Sequence, residues 1–127
     1  MPELHAFDYA VVRVVPRVER GEFVNAGVIL FSRTARFLCA KIELDFARLA
    51  ALAPALDRDV VLSYLDAIPR ICEGGKDAGP IGALSQSERF HWLVAPRSTI
   101  IQTSPAHSGV HSDMHAALEH LLTKLVR

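Results

Sequence analysis

Two stretches of the chain concentrate side chains that could hold an anion. The first, residues 17–25, carries Arg17, Arg20, Glu22 and Asn25. The second, residues 97–107, carries Arg97, Ser98, Thr99, Gln102, Ser104 and His107 around the aliphatic pair Ile100 and Ile101. Guanidinium groups pair bidentately with phosphate or carboxylate, and nearby hydroxyls donate to the oxygens that remain. An Arg/Ser/His pocket of this kind would suit a phosphorylated small molecule or a nucleic-acid end, with His107 or Glu22 as acid or base. The second stretch has a simpler reading, a strand with one solvated face followed by a Ser-Pro turn whose side chains bond their own backbone. Asn25 and Gly27 are poor strand formers and also read in two ways. They could form a β-bulge in which Asn25 satisfies a neighbouring backbone group, or a point where Gly27 admits a ligand or partner backbone.

Sharper catalytic patterns are incomplete. Gly74-Gly75-Lys76 lacks both the lead and the following hydroxyl residue of a phosphate-binding loop. His107, His111 and His115 recur at helical spacing, but Ser108-Gly109 and a cap at Ser112 interrupt any helix joining them, so they read as exposed histidines and no metal is expected. Ser104 or Ser108 beside His107 has no nucleophile elbow and no placed third member. Cys39 and Cys72 fit no redox or zinc spacing and read as buried thiols. Trp92 beside Phe90 reads as core, and Glu19, Glu22 and Glu88 as ion-pair partners for Arg17, Arg20 or Arg89. No cofactor signature is present, and the sequence leans away from an enzyme.

These residues must be positioned by a chain of 127 residues with 14 Lys+Arg against 14 Asp+Glu, 50% apolar and 22% charged. Such length and composition suit one globular domain over residues 1–127. Neutrality argues against general nucleic-acid binding, which needs a cationic surface. The N-terminus lacks a secretory pattern and no apolar run reaches a membrane span, so a cytoplasmic protein without a membrane partner is expected.

A β-branched run predicts a first strand over 7–18, with Arg13 and Arg17 on one face and Pro16 at an edge or bulge. Gly21 supplies a positive-φ turn position. A second strand over 23–32 places Phe23, Asn25, Gly27, Ile29 and Phe31 on one face, and a third covers 36–42. Helical spacing follows over 44–52. A stripe of Val60, Val61, Tyr64, Leu65, Ile68, Ile71 and Cys72 then follows Asp57 as N-cap, with Pro69 predicting a kink or early end. A glycine-rich loop, a helix opened by the Ser85/Glu88 capping box, a fourth strand over 98–103 and a helix from Ser112 or Asp113 complete the order. The fold class is α+β: a mainly antiparallel sheet, built from an N-terminal three-strand meander and a later strand, with helices covering one face. A free meander edge would favour a homodimer.

The motifs Arg17-Val18-Glu19-Arg20-Gly21-Glu22-Phe23-Val24-Asn25-Ala26-Gly27-Val28, Pro96-Arg97-Ser98-Thr99-Ile100-Ile101-Gln102 and Ser104-Pro105-Ala106-His107-Ser108-Gly109 resemble those of the bacterial domain of unknown function 3037 family. The likeness spans nearly the whole chain, departing at Ala26 and Ser108. It implies a short stand-alone protein in a kinase-associated or toxin–antitoxin setting, with a HipA-like Ser/Thr kinase as partner. It carries no catalytic residue onto this sequence. The leading expectation is therefore an accessory or regulatory protein-interaction module recognising its partner through Arg17, Arg20, Asn25 and Arg97. An enzyme or sensor for a phosphorylated ligand is the alternative. Both require the two polar stretches to converge on one concave surface.

Overall fold

Residues 2–127 are described by a computed structural model. The β-branched N-terminal run forms β1 (His5–Val14), followed by β2 (Val24–Ser32) and β3 (Phe37–Ile42) in an antiparallel meander. Two later strands, β4 (Ile101–Thr103) and β5 (His107–His111), pair antiparallel with the other side of β1. The sheet order is β3-β2-β1-β4, with β5 also on β1. The fold is α+β, as the sequence predicts.

The strand boundaries differ where backbone chemistry intervenes. β1 stops at Val14, two residues before Pro16, which has no N–H to give a ladder. The chain then makes a 3₁₀ turn over Val18–Arg20, closed by Gly21 at φ +69°. Arg17 therefore lies outside the strand and does not share a face with Arg13. β4 begins at Ile101 rather than at residue 98. Residues 107–111 form a strand that the sequence does not predict, because β1 offers them a full pairing edge from His5 to Tyr9, while His107 and His115 remain exposed as expected. Gly109 is needed there: a Cβ would sit 2.5 Å from the Phe7 ring.

Helices cover both faces of the sheet, not one. α1 (Phe46–Leu52), α2 (Arg58–Glu73) and α3 (Gln86–Val94) lie on the face of Val12, Val14, Ile29 and Phe31. α4 (Met114–Leu125) covers Phe7, Val28 and Leu30 on the other. The reason is in β2, where every residue from Ala26 to Ser32 is buried. Val28 and Leu30 alternate with Ile29 and Phe31, so a single helical layer would leave half of them in water.

β2 carries the bulge that Asn25 and Gly27 suggested. Val12 pairs with Gly27 but Arg13 pairs with Asn25, leaving Ala26 as the extra residue. The extra residue changes which side each chain position faces: Val24 and Ala26 join Ile29 and Phe31, while Asn25 turns toward α4. Phe23, Asn25, Gly27, Ile29 and Phe31 do not form one continuous face.

The helix ends follow the expected chemistry. Asp45, Asp57 and Asp113 cap α1, α2 and α4, and Ser85 and Glu88 form a reciprocal capping box on α3. Pro69 does not end α2, which continues to Glu73. Leu65, Ile68, Ile71 and Cys72 are buried on both sides of the proline, and that packing outweighs one missing backbone bond. No helix among the described residues is long and apolar enough to cross a membrane.

Candidate functional site

The polar residues of the two stretches fall into separate places. Asn25 turns to the α4 face, where its Nδ2 donates to Leu125 O at 3.0 Å. Arg13 lies between Asn25 and Gln102 across β2, β1 and β4, since it pairs with both in the ladders. Its guanidinium stacks 4.1 Å from the centre of the Phe23 ring. Gln102 donates to Thr99 O at 2.9 Å. Arg13 Nε and Asn25 Oδ1 are buried without a hydrogen-bond partner among the described residues. Gly27 does admit a close backbone, but that backbone is the chain's own: a Cβ would lie 2.6 Å from Lys41 O in β3.

Arg17, Arg20 and Glu22 line a depression of ≈ 610 Å³ against Pro16 and the residues that follow α1, Ala53 to Leu56. Arg20 donates to Glu22, and this hydrogen bond holds the Glu22 carboxyl below the usual carboxylate range. The pair is exposed, so it contributes little to stability. It also leaves Arg20 partly neutralised as an anion ligand.

Ser104 and His107 occupy a third place. The Ser104 hydroxyl accepts from Val11 N–H at 2.8 Å and its own N–H donates to Val11 O at 2.8 Å, joining β4 to β5 along β1. Its burial and these bonds account for its type. His107 is exposed, its ring 5.5 Å from Tyr9. His111 Nδ1 accepts from Asp113 N–H, and His115 sits edge-on to Phe37 on α4. Ser98 is exposed, and the Thr99 hydroxyl is turned back onto Ile101 O.

Arg97 lies apart from all of these, at the C-terminal end of α3. It donates to Leu93 O at 2.9 Å and to Trp92 O at 2.6 Å, and stacks 4.4 Å from the Trp92 ring. It therefore caps α3 while keeping its charge at the rim of a groove of ≈ 590 Å³. The groove has walls from α2 (Val60, Tyr64, Ala67, Ile68) and α3 (Trp92, Leu93), and a floor from Ile100, Ile101 and Thr103. Val60, Tyr64 and Trp92 are 42%, 54% and 41% exposed. The two polar stretches thus meet only where Gln102, Arg13 and Asn25 stand side by side.

Several of these residues correct the sequence reading. Trp92 is not core; Phe90 is, stacked on Phe31 with ring centres 5.3 Å apart. Val60 and Tyr64 belong to the apolar stripe of α2 but stay outside the packed core. The stripe is wider than the sheet beneath it can cover, and that width was the signal for a groove. Arg89 forms no ion pair among the described residues. It is 8% exposed and donates to Leu84 O, Ile71 O and Cys72 O at 3.1, 2.9 and 2.6 Å, closing the end of α2 with a buried cation. Gly74 beside it must lack a side chain, because a Cβ would lie 2.8 Å from the guanidinium at a backbone φ of +76°. Cys72 is buried, and desolvation pushes its thiol up to about 12; Cys39 is only half-buried.

A doubly covered antiparallel α+β sheet with an open apolar groove on one face is the class of protein that these observations define. A family model described as "Protein of unknown function (DUF3037)" matches residues 9–126, and the chain belongs to that family. Neither the curated proteins nor the solved structures compared with the chain include a match.

Proposed function

We propose that this protein is a bacterial accessory or regulatory interaction module of the cytoplasm, and that a HipA-like Ser/Thr kinase docks in its α2–α3–β4 groove. The observation that carries this reading is the gathering of Val60, Tyr64 and Trp92, all substantially exposed, around one groove. Exposed aromatic and aliphatic side chains with an arginine at the rim have the composition of an interface centre. The kinase as partner comes from the family resemblance. The recognition face moves accordingly: of the four residues first expected to form it, Arg97 is retained, while Arg17 and Arg20 line a different depression and Asn25 secures α4.

Co-expression with the tagged kinase is the test. The wild-type chain and an Arg17→Ala variant should co-purify with it, and Tyr64→Glu should not. A Tyr64→Glu protein recovered with the kinase in wild-type yield would remove the groove from the reading, and a wild-type chain that never co-purifies would remove the kinase. The anion-binding enzyme or sensor has less support, because Arg20 is engaged by Glu22 and Arg97 by two carbonyls. A thermal shift with nucleotides or inorganic phosphate, lost in Arg17→Ala, would restore it.

A further inference from the structure

The groove runs beside β4, and β4 is an edge strand that pairs only with β1 among the described residues. Bonds at its two ends set which way its main chain faces. Val15 N–H donates to Ile100 O at 2.6 Å and Ser104 N–H donates to Val11 O at 2.8 Å. By the alternation of an antiparallel pair, Ile100, Gln102 and Ser104 turn their main-chain groups toward β1, and Ile101 and Thr103 turn theirs away. Ile101 O accepts from the Thr99 hydroxyl at 2.8 Å. No other hydrogen bond reaches these outward groups among the described residues. Ile101 and Thr103 also supply side chains to the groove. Free main-chain donors and an apolar channel therefore coincide at the same two residues. That combination suits an extended chain, which adds main-chain bonds to an edge and sends alternate side chains into pockets beside it.

Charge narrows the occupant further. Arg97 is the one charged side chain among the described residues lining the groove, and no acid stands opposite it. A guanidinium has five N–H donors, and the two carbonyls it meets leave several available. A carboxylate passing the rim would receive a charge-assisted bond. A second copy of this chain is the poorer fit, because a two-fold contact would bring Arg97 and its copy to the same acid-free surface.

We infer that the groove takes an extended segment of the partner, apolar at alternate positions and carrying a carboxylate where it passes Arg97, added to β4 as a further strand. This rests on the docking reading above and specifies what docks. It is tested on the full chain with a panel of capped peptides of about six residues, the usual strand length, alternating valine or leucine with threonine and carrying either glutamate or glutamine at one inner position. Trp92, the only tryptophan, reports occupancy of the groove by fluorescence, and amide exchange at Ile101 and Thr103 reports pairing at the edge. Glutamate peptides should bind about tenfold more tightly than their glutamine counterparts and slow exchange of both amides. Thr103→Pro removes one outward N–H without touching the ladder to β1 and should weaken binding by about tenfold, clearly more than Thr103→Val, which alters the side chain but keeps that N–H. Undiminished binding by Thr103→Pro would overturn the inference. So would unchanged exchange at both amides with every peptide up to millimolar concentration, or a native dimer that Thr103→Pro dissociates. Should Tyr64→Glu abolish kinase co-purification while Thr103→Pro affects neither kinase nor peptide binding, docking stands and strand addition falls; should neither variant matter to the kinase, the docking reading falls first.

Discussion

The C-terminal end of α4 is tied to its face of the sheet by polar contacts from several directions, whereas the opposite face leaves three large apolar side chains half in water. Asn25 of β2 donates to Leu125 O, Arg48 reaches from α1 to donate to Val126 O, and Arg127 meets Glu43, just after β3, as well as Glu119 of α4 itself. On the opposite face, α2 and α3 are held together beneath the surface by the carbonyl bonds of Arg89, and their upper flanks diverge around the groove. The contrast separates two uses of arginine. Arg89, in the first turns of α3, is buried and spends its donors on holding helices; Arg97, just beyond the other end of the same helix, makes similar carbonyl bonds but stays at the surface, where its charge can select a partner.

The largest expected effect breaks the open face from below. Arg89→Ala removes three carbonyl bonds made by a buried cation and should cost about 3 kcal/mol in urea denaturation. It should also disturb the groove, because α2 and α3 lose their shared anchor. On the closed face, Asn25→Asp replaces the donor to Leu125 O with a carboxylate facing that carbonyl and should cost about 2 kcal/mol; Asn25→Ala, which only deletes the bond, should cost about 1 kcal/mol. A smaller effect depends on pH. Cys72 is held protonated in the folded chain, with a value of about 12 against an ordinary value of 9.0, so the folded state binds more protons than the unfolded state once pH exceeds the ordinary value. Its contribution is complete below that pH and is lost as pH rises toward the folded value. The urea midpoint should therefore fall as pH rises from about 9 toward about 12, with a shallower fall in Cys72→Ala. The smallest expected effect on stability is at the groove: Tyr64→Ser should change unfolding free energy by less than about 0.5 kcal/mol while abolishing docking. A large loss of stability there would mean that Tyr64 serves the fold, and the contrast between the faces would collapse.

The elements with strong local signals were legible in the sequence. The meander follows from β-branched alternation, and the helix starts follow from Asp57, Ser85/Glu88 and Asp113, each of which satisfies backbone donors within its own turn. What was not legible depended on partners distant in the chain. His107-Ser-Gly-Val-His111 has little strand propensity and becomes β5 only because the His5–Tyr9 edge lies open beside it. Trp92 and Phe90 are two residues apart on one helix, and periodicity does not tell which points into the sheet and which into the groove. The bulge at Ala26 is the most instructive case. Asn25 and Gly27 announced the irregularity, yet counting alternate residues across it assigned Asn25 to the wrong side. The arginines were scattered for a related reason. Their clustering in sequence reflected a loop after β1 and a helix end after α3, which the topology keeps in separate depressions.

β1 joins both ends of the sequence, and this has a consequence for biosynthesis. One of its edges is satisfied early by β2, but the other waits for β4 and β5; the bond from Val11 N–H to the Ser104 hydroxyl spans 93 positions. A ribosome needs on the order of 10 s to add that length of chain. Throughout that interval the nascent protein carries an apolar strand with an open edge, and long-range closure of this kind is intrinsically slow. The same edge that the finished fold extends only by the short β4 and β5 is thus, during translation, the stretch most in need of protection by a chaperone or by rapid completion of the chain.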